Sequence, residues 1–181
     1  AIAKVAQQII GGGVDLMSNN QKDGGNSDYP NYPKPIITQY ANPEKELEGI
    51  LTRIQMEDLD DVAILVPSDK EVMMVNDYLA NHGIKTQVMY RTGNTVPFRT
   101  VNTLDFSNND LPCILTYYAA KGSEFDNVFV PFANTSNDCS RNSFYVACTR
   151  SSRSLYISYS GTKTKYLSDV NSDFITELKA A

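Results

Sequence analysis

One histidine, three cysteines and no tryptophan are spread over 181 residues. With His82 the lone histidine, Ser-His-Asp, Cys-His and multi-histidine metal chemistry are all poor bets. It precedes Gly83, a helix stop, where a cation suits a helix C-terminus. The cysteines, Cys113, Cys139 and Cys148, are odd in number and lack CxxC spacing, which excludes a disulfide framework and a zinc site. Cys113 and Cys148 stand in apolar runs and read as small core residues of a protein in a reducing, cytoplasmic setting. No apolar run approaches the roughly 18 residues of a membrane helix. Residues 1–11 carry no basic n-region and no secretory cleavage pattern. Basic residues are in deficit: 16 Lys and Arg against 21 Asp and Glu give a net charge of −5. That balance argues against coating nucleic acid by bulk charge.

Phosphate loops are missing as well. No GxxxxGK[ST] occurs: Gly11–Gly13 and Gly24-Gly25 lack the following Gly-Lys pair, and Lys121-Gly122-Ser123 reverses the order. No GxGxxG occurs either. The chain has no motif that would hold a triphosphate and magnesium alone, and no metal-ligand set.

What is present suits a soluble globular domain: 41% hydrophobic and 20% charged residues, long enough to bury a core without staples. The expectation is one domain over 1–181. The first residue is Ala1 rather than Met, the mark of an excised piece or of processing. Residues 1–10 read as the end of a helix, and 18–35, rich in Ser, Asn, Asp, Gly and Pro, as a long loop of mobile composition. Strands are expected at 36–40, 62–66, 84–90, 114–118, 128–132 and 155–159. Asn42-Pro43 opens a helix with Leu47, Ile50, Leu51 and Ile54 on one stripe. Ser68 to Glu71 is a capping box ahead of Val72, Val75 and Leu79. Further helices are expected over 141–153 and 169–178. Strands alternating with helices predict an α/β fold, a mainly parallel sheet with helices on both faces and its site at the C-terminal ends of the strands.

Two segments carry chemistry. Residues 116–130, TYYAAKGSEFDNVFV, are a strand, a polar Gly-containing loop and a strand. Gly122 lets backbone amides approach an anion, and Lys121, Glu124 and Asp126 crowd charge onto the loop. Residues 141–157, RNSFYVACTRSSRSLYI, are a helix with Arg150 and Arg153, then a strand. They lie in a stretch, Cys139 to Ser168, that has no acid but holds Arg141, Arg150, Arg153, Lys163 and Lys165. That stretch is either a solvated face or an anion site; arginine is suited to bidentate phosphate contact.

In order and spacing the two segments resemble motifs V and VI of superfamily 1 helicases of the UvrD/Rep type, T-x-H-x-x-K-G-L-E-F-D-x-V-F and R-x-L-x-Y-V-A-x-T-R-A-x-x-x-L-x-I. The resemblance implies a three-layer RecA-like fold, the C-terminal (second) motor domain of an ATP-dependent DNA helicase or translocase, with Walker A and the magnesium ligands in a first RecA-like domain of the same polypeptide. It implies Arg150 as an arginine finger on ATP, Gly122 and Lys121 beside the phosphates, and Glu124 on the ribose. It implies Thr116 and Tyr118 on single-stranded DNA. It further implies ATP with Mg2+ as cofactor, no metal site in this chain, and a fragment inactive alone. Arg141 matches the arginine that opens motif VI, as an ion pair or a phosphate contact. Tyr118 stands where the family has His, Ser123 where it has Leu, and Ser151 where it has Ala; Cys139 and Ser140 replace acids that usually precede motif VI. Two other readings compete: a non-catalytic α/β module binding nucleic acid or protein, and a flavodoxin-like nucleotide binder, against which the missing phosphate loop counts.

Overall fold

The structure is a computed structural model, described here over residues 1–11, 33–93, 99–135, 139–168 and 170–180. The loop expected over 18–35 lies almost wholly outside the described residues. Helix α1 is Ile2–Ile10 and strand β1 is Ile36–Tyr40. Helix α2, Pro43–Met56, starts as the sequence predicts: the Asn42 side chain accepts the Lys45 N–H at 2.9 Å and Pro43 occupies the first turn. Strand β2, Val62–Val66, is buried at every position. Val62, Ile64 and Val66 face one core cluster, and Ala63 and Leu65 the other, as a strand covered on both faces requires. Helix α3, Asp69–Asn81, is capped by Ser68, whose hydroxyl also bonds the Glu71 carboxylate. His82 is its C-cap residue, with Nδ1 2.7 Å from the Tyr78 carbonyl oxygen.

The remaining elements are β3 (Gln87–Thr92), β4 (Arg99–Asn102), β5 (Cys113–Thr116), β6 (Phe125–Val130), α4 (Arg141–Cys148), β7 (Ser151–Ser160) and β8 (Thr176–Lys179). One eight-stranded sheet results, in the order β4-β3-β5-β2-β6-β7-β1-β8. Every pairing is parallel except β3 with β4. Helices α1 and α4 cover one face, with Val5, Ile9, Phe144 and Ala147 in its core; α2 and α3 cover the other, with Leu47, Ile50, Val72 and Leu79. This is the expected three-layer α/β architecture.

Two expected helices fail, and one strand goes unforeseen. The closing helix over 169–178 is instead one 3-10 turn, Ser172–Phe174, followed by β8. The free edge of β1 decides this: Thr176 N–H donates to the Pro35 carbonyl at 2.9 Å, and β8 pairs with β1 from Ile36 onward. The helix expected over 141–153 stops at Cys148, because residues from Ser151 on pair with β6. Arg153 is therefore an exposed strand residue. Strand β4 was not expected at all.

One buried charge ties the layers together. Glu46, on the first turn of α2, has no solvent exposure. Its Oε2 accepts the Phe132 N–H and the Ser158 hydroxyl, each at 2.8 Å. Phe132 follows β6 with φ +60, and this anchor holds it there. Oε1 makes no well-formed hydrogen bond, although the Ser160 hydroxyl lies close enough to favour the ionised form. Burial outweighs these contacts and raises the carboxyl above the usual glutamate range.

Candidate functional site

Strands β5 and β6 both run parallel to β2, so the chain between them must return from the far end of the strands to the near end. It does so as successive turns over 116–124. Ala120 N–H donates to the Thr116 carbonyl at 3.1 Å, Lys121 N–H to Tyr118 at 3.2 Å, and Ser123 N–H to Ala120 at 3.1 Å. The Thr116 hydroxyl accepts the Ala119 N–H at 3.1 Å. Tyr117 and Ala120 face the core, the Tyr117 ring meeting Phe144 edge-on at 6.4 Å. The alternate positions Tyr118, Lys121 and Gly122 are exposed. Thr116 and Tyr118 therefore lie where β5 ends, and Gly122 and Glu124 where β6 begins.

Arg150 joins the second group. Helix α4 ends at Cys148 with Thr149 as its C-cap, and Arg150 folds back over that end. Its Nε donates to the Val146 carbonyl at 3.0 Å, one terminal nitrogen to the Thr149 hydroxyl at 3.1 Å, and the other to the Ser123 carbonyl at 3.1 Å. The Arg150 carbonyl accepts the Phe125 N–H at 2.9 Å, where β6 starts. All three acceptors of the guanidinium are neutral, and among the described residues no carboxylate pairs with it. Two of its five N–H donors remain, on a half-buried cation without a counter-charge. Gly122 has φ +91, nothing within 4 Å of the place a Cβ would take, and an N–H that meets no protein acceptor among the described residues. Lys121 is exposed and makes no ion pair among the described residues.

The two sequence segments thus meet through Arg150 and Ser123, with Gly122 on the same edge of the sheet. That edge is where β6 and β7 begin, not the C-terminal ends of the strands as expected. The return path over 116–124 is the reason, since it carries Gly122 and Glu124 away from the end of β5. Glu124 is exposed and lines a cavity of about 250 Å³ with Asp61, Phe106, Asn108, Cys113 and Phe125.

Other candidates have structural work. The Asp126 Oδ1 accepts the Ser152 hydroxyl at 2.6 Å, and its N–H donates to Asp61 Oδ2 at 2.9 Å. Arg141 stands over the Tyr166 ring at 5.4 Å and against Gly11, without an ion pair among the described residues. Burial pushes the Cys113 thiol up to about 11, the Asp61 charge adding to it, and raises the fully buried Cys148 further, so neither is a nucleophile. Sequence reasoning does not find Asp61 and Phe106, and it finds Ser123 only as a departure from motif V. Ser123 contributes a backbone carbonyl, which no side-chain pattern signals; Asp61 (φ +45) and Phe106 owe their places to loops with no sequence periodicity.

Comparison with known proteins gives a family likeness over part of the chain and a shared fold. Residues 112–158, which include both segments in full, match the UvrD-like helicase C-terminal domain family. Among solved structures, the C-terminal domain of a possible DNA helicase from Lactobacillus plantarum WCFS1 is similar with a TM-score of 0.68 and 19% identity, covering 97% of this chain and 94% of that one. The arterivirus nonstructural protein 10 helicase in complex with DNA has a TM-score of 0.55 at 8% identity, over 80% of this chain and 35% of that one. The E. coli DEAD-box protein SrmB, bound to regulator of ribonuclease activity A, has a TM-score of 0.54 at 14% identity, over 83% of this chain and 91% of that one. At such identities the structural likeness carries the fold, which is RecA-like. No curated protein matches the chain by sequence. The family match and the fold together support a UvrD-type second motor domain.

Proposed function

We propose that the chain is the second motor domain of an ATP-dependent DNA helicase or translocase, working in a reducing, cytoplasmic setting and inactive alone. The observation that carries the reading is the Arg150 guanidinium: no counter-charge among the described residues, a bond to the Ser123 carbonyl, and a place beside Gly122 in the segment the helicase family matches. The residues present fit one wall of a nucleotide site. Arg150 and Lys121 supply positive charge, the Gly122 N–H an unused donor, and Glu124 an exposed acceptor for ribose hydroxyls. In this reading magnesium and the Walker A amides belong to a first RecA-like domain of the same polypeptide. Hydrolysis of ATP with Mg2+ would supply the free energy. Arg150 contributes charge stabilisation: on exchanging its Ser123 contact for a phosphate oxygen it meets charge that grows during transfer. Thr116 and Tyr118, at the end of β5, form part of a single-stranded DNA track.

A second reading, the non-catalytic module, draws on the same side chain. Arg150 already caps the α4 carbonyl of Val146, and a purely structural arginine does that too. The test is DNA-stimulated ATP hydrolysis by a protein joining this chain to its first motor domain, wild type against Arg150→Ala. A motor loses about 10³-fold or more in kcat with DNA binding kept. Unchanged hydrolysis refutes the finger, and no hydrolysis in the wild type favours the module.

A further inference from the structure

The sheet ends at β8, and the outer edge of that strand pairs with nothing among the described residues. All four of its residues, Thr176–Lys179, are exposed. An open edge is a template for another strand. Thr176 N–H donates to the Pro35 carbonyl and Ala180 N–H to the Gln39 carbonyl, each at 2.9 Å. Backbone groups alternate sides along a strand. Thr176, Leu178 and Ala180 therefore turn theirs to β1, and Glu177 and Lys179 turn theirs outward. Side chains alternate between the faces of the sheet as well. Glu177 is in register with Ile37, a core residue of the α1–α4 face, so Glu177 and Lys179 stand on that side and Leu178 on the α2 side. Leu178 is 45% exposed. Lys179 makes no ion pair among the described residues, and Glu177 bonds Lys163 at 2.6 Å while its side chain stays 54% exposed.

The order Glu177-Leu178-Lys179 is complementary to its own reverse. Laid antiparallel on a second copy about a two-fold axis at Leu178, each Glu177 meets a Lys179. Both face outward, so each such pair exchanges both of its N–H···O bonds. Leu178 meets Leu178 of the second copy in the intervening non-hydrogen-bonded pair, where side chains come closest. Charge selects this register. Moving the axis one residue either way sets Glu177 against Glu177 or Lys179 against Lys179, and like charges directly opposite each other destabilise a ladder. We propose that β8 is a docking edge for a second copy of this chain, joining two sheets antiparallel through Glu177–Lys179 pairs around a Leu178 contact. Strands β7 and β1 separate β8 from β6, and the proposal does not depend on the motor-domain reading or on Arg150. Strands this short bury little area, so the dimer is weak and transient.

The test is the solution mass of the 181-residue chain by small-angle X-ray scattering over a concentration series, with amide hydrogen exchange followed by NMR in the same samples. The wild type should pass from monomer to dimer with a Kd between about 10 µM and 1 mM. The Glu177 and Lys179 amides should become protected as it does, whereas the Leu178 amide, turned to β1, is protected throughout. Lys179→Glu changes an exposed side chain that holds no ion pair, and should raise Kd about 10-fold or more. Glu177→Lys should do the same, and it also removes the Lys163 partner. Combining E177K with K179E restores opposite charges across the axis and should return Kd to within about 3-fold of wild type, which loss of the Lys163 pair alone would not do. Leu178→Asp puts like charges on the axis and should leave a monomer at about 1 mM, with a thermal melt near that of wild type. A wild type that stays monomeric at about 1 mM overturns the proposal. So does a dimer whose Glu177 and Lys179 amides exchange as in the monomer, or one that K179E leaves untouched, since either associates through another surface.

Discussion

Replacing Glu46 probes how the fold tolerates a carboxylate at its centre. The side chain is fully buried, accepts two hydrogen bonds on Oε2, and leaves Oε1 without a well-formed one. In Glu46→Gln the amide oxygen can keep both contacts, and the charge is gone. In Glu46→Ala the buried Phe132 N–H and Ser158 hydroxyl lose this acceptor, each costing about 1 kcal/mol or more, and a small cavity opens. The alanine variant should therefore lose about 2–4 kcal/mol, and the glutamine variant at pH 8 should lie within about 1 kcal/mol of wild type or above it. The pH dependence carries the sign. Burial raises the folded-state pKa, so between the unfolded value of about 4.3 and that raised value the native state binds more protons. Wild type then loses stability as pH rises through this window, and the full benefit of the protonated carboxyl is present only below it. The glutamine variant lacks this term, so its stability relative to wild type must climb from pH 4.5 towards pH 8. Urea unfolding monitored at several pH values measures this directly. A difference that falls with pH would mean the ionised carboxylate is net stabilised in place, and would refute the account of burial as the dominant influence.

Two backbone predictions follow from the glycines. Gly122→Ala has room for its methyl group but must hold φ near +91, so it should cost about 1–2 kcal/mol in stability, read from a thermal melt, without disturbing the core. At Gly49 the obstacle is different: a Cβ would fall 2.1 Å from the Tyr40 hydroxyl, which packs across the helix. Gly49→Ala should destabilise by about 1–3 kcal/mol, and Tyr40→Phe should restore little of it, because the ring carbons at 2.5 and 2.7 Å also collide.

The sequence was most informative where local chemistry and burial agree. Asn42-Pro43 and Ser68 mark helix starts through their own side chains, and the run Val62–Val66 can be satisfied only by two covering layers. Strands β4 and β8 were illegible because their side chains are almost all exposed and their existence depends on partners distant in sequence. Residues 174–178, with Phe174, Ile175 and Leu178, suit a helical stripe, and only the open edge of β1 makes them extended. In the candidate site, Arg150, Gly122 and Glu124 stood out as motif positions. The contact that brings the two segments together did not, since it runs through the Ser123 main chain.

The segment over 116–124 behaves mechanically as a short strut. It spans the full height of the sheet, from the end of β5 to the beginning of β6, and is pinned partway by Tyr117 and Ala120 in fully packed surroundings. Turn bonds at nearly every step leave it no slack to take up. A push on Tyr118 at one end is therefore not dissipated in a floppy loop before it reaches Gly122 and the carbonyl that Arg150 grips at the other. Inserting a single residue into this strut would leave every side chain near Arg150 chemically intact and still put the two ends out of step.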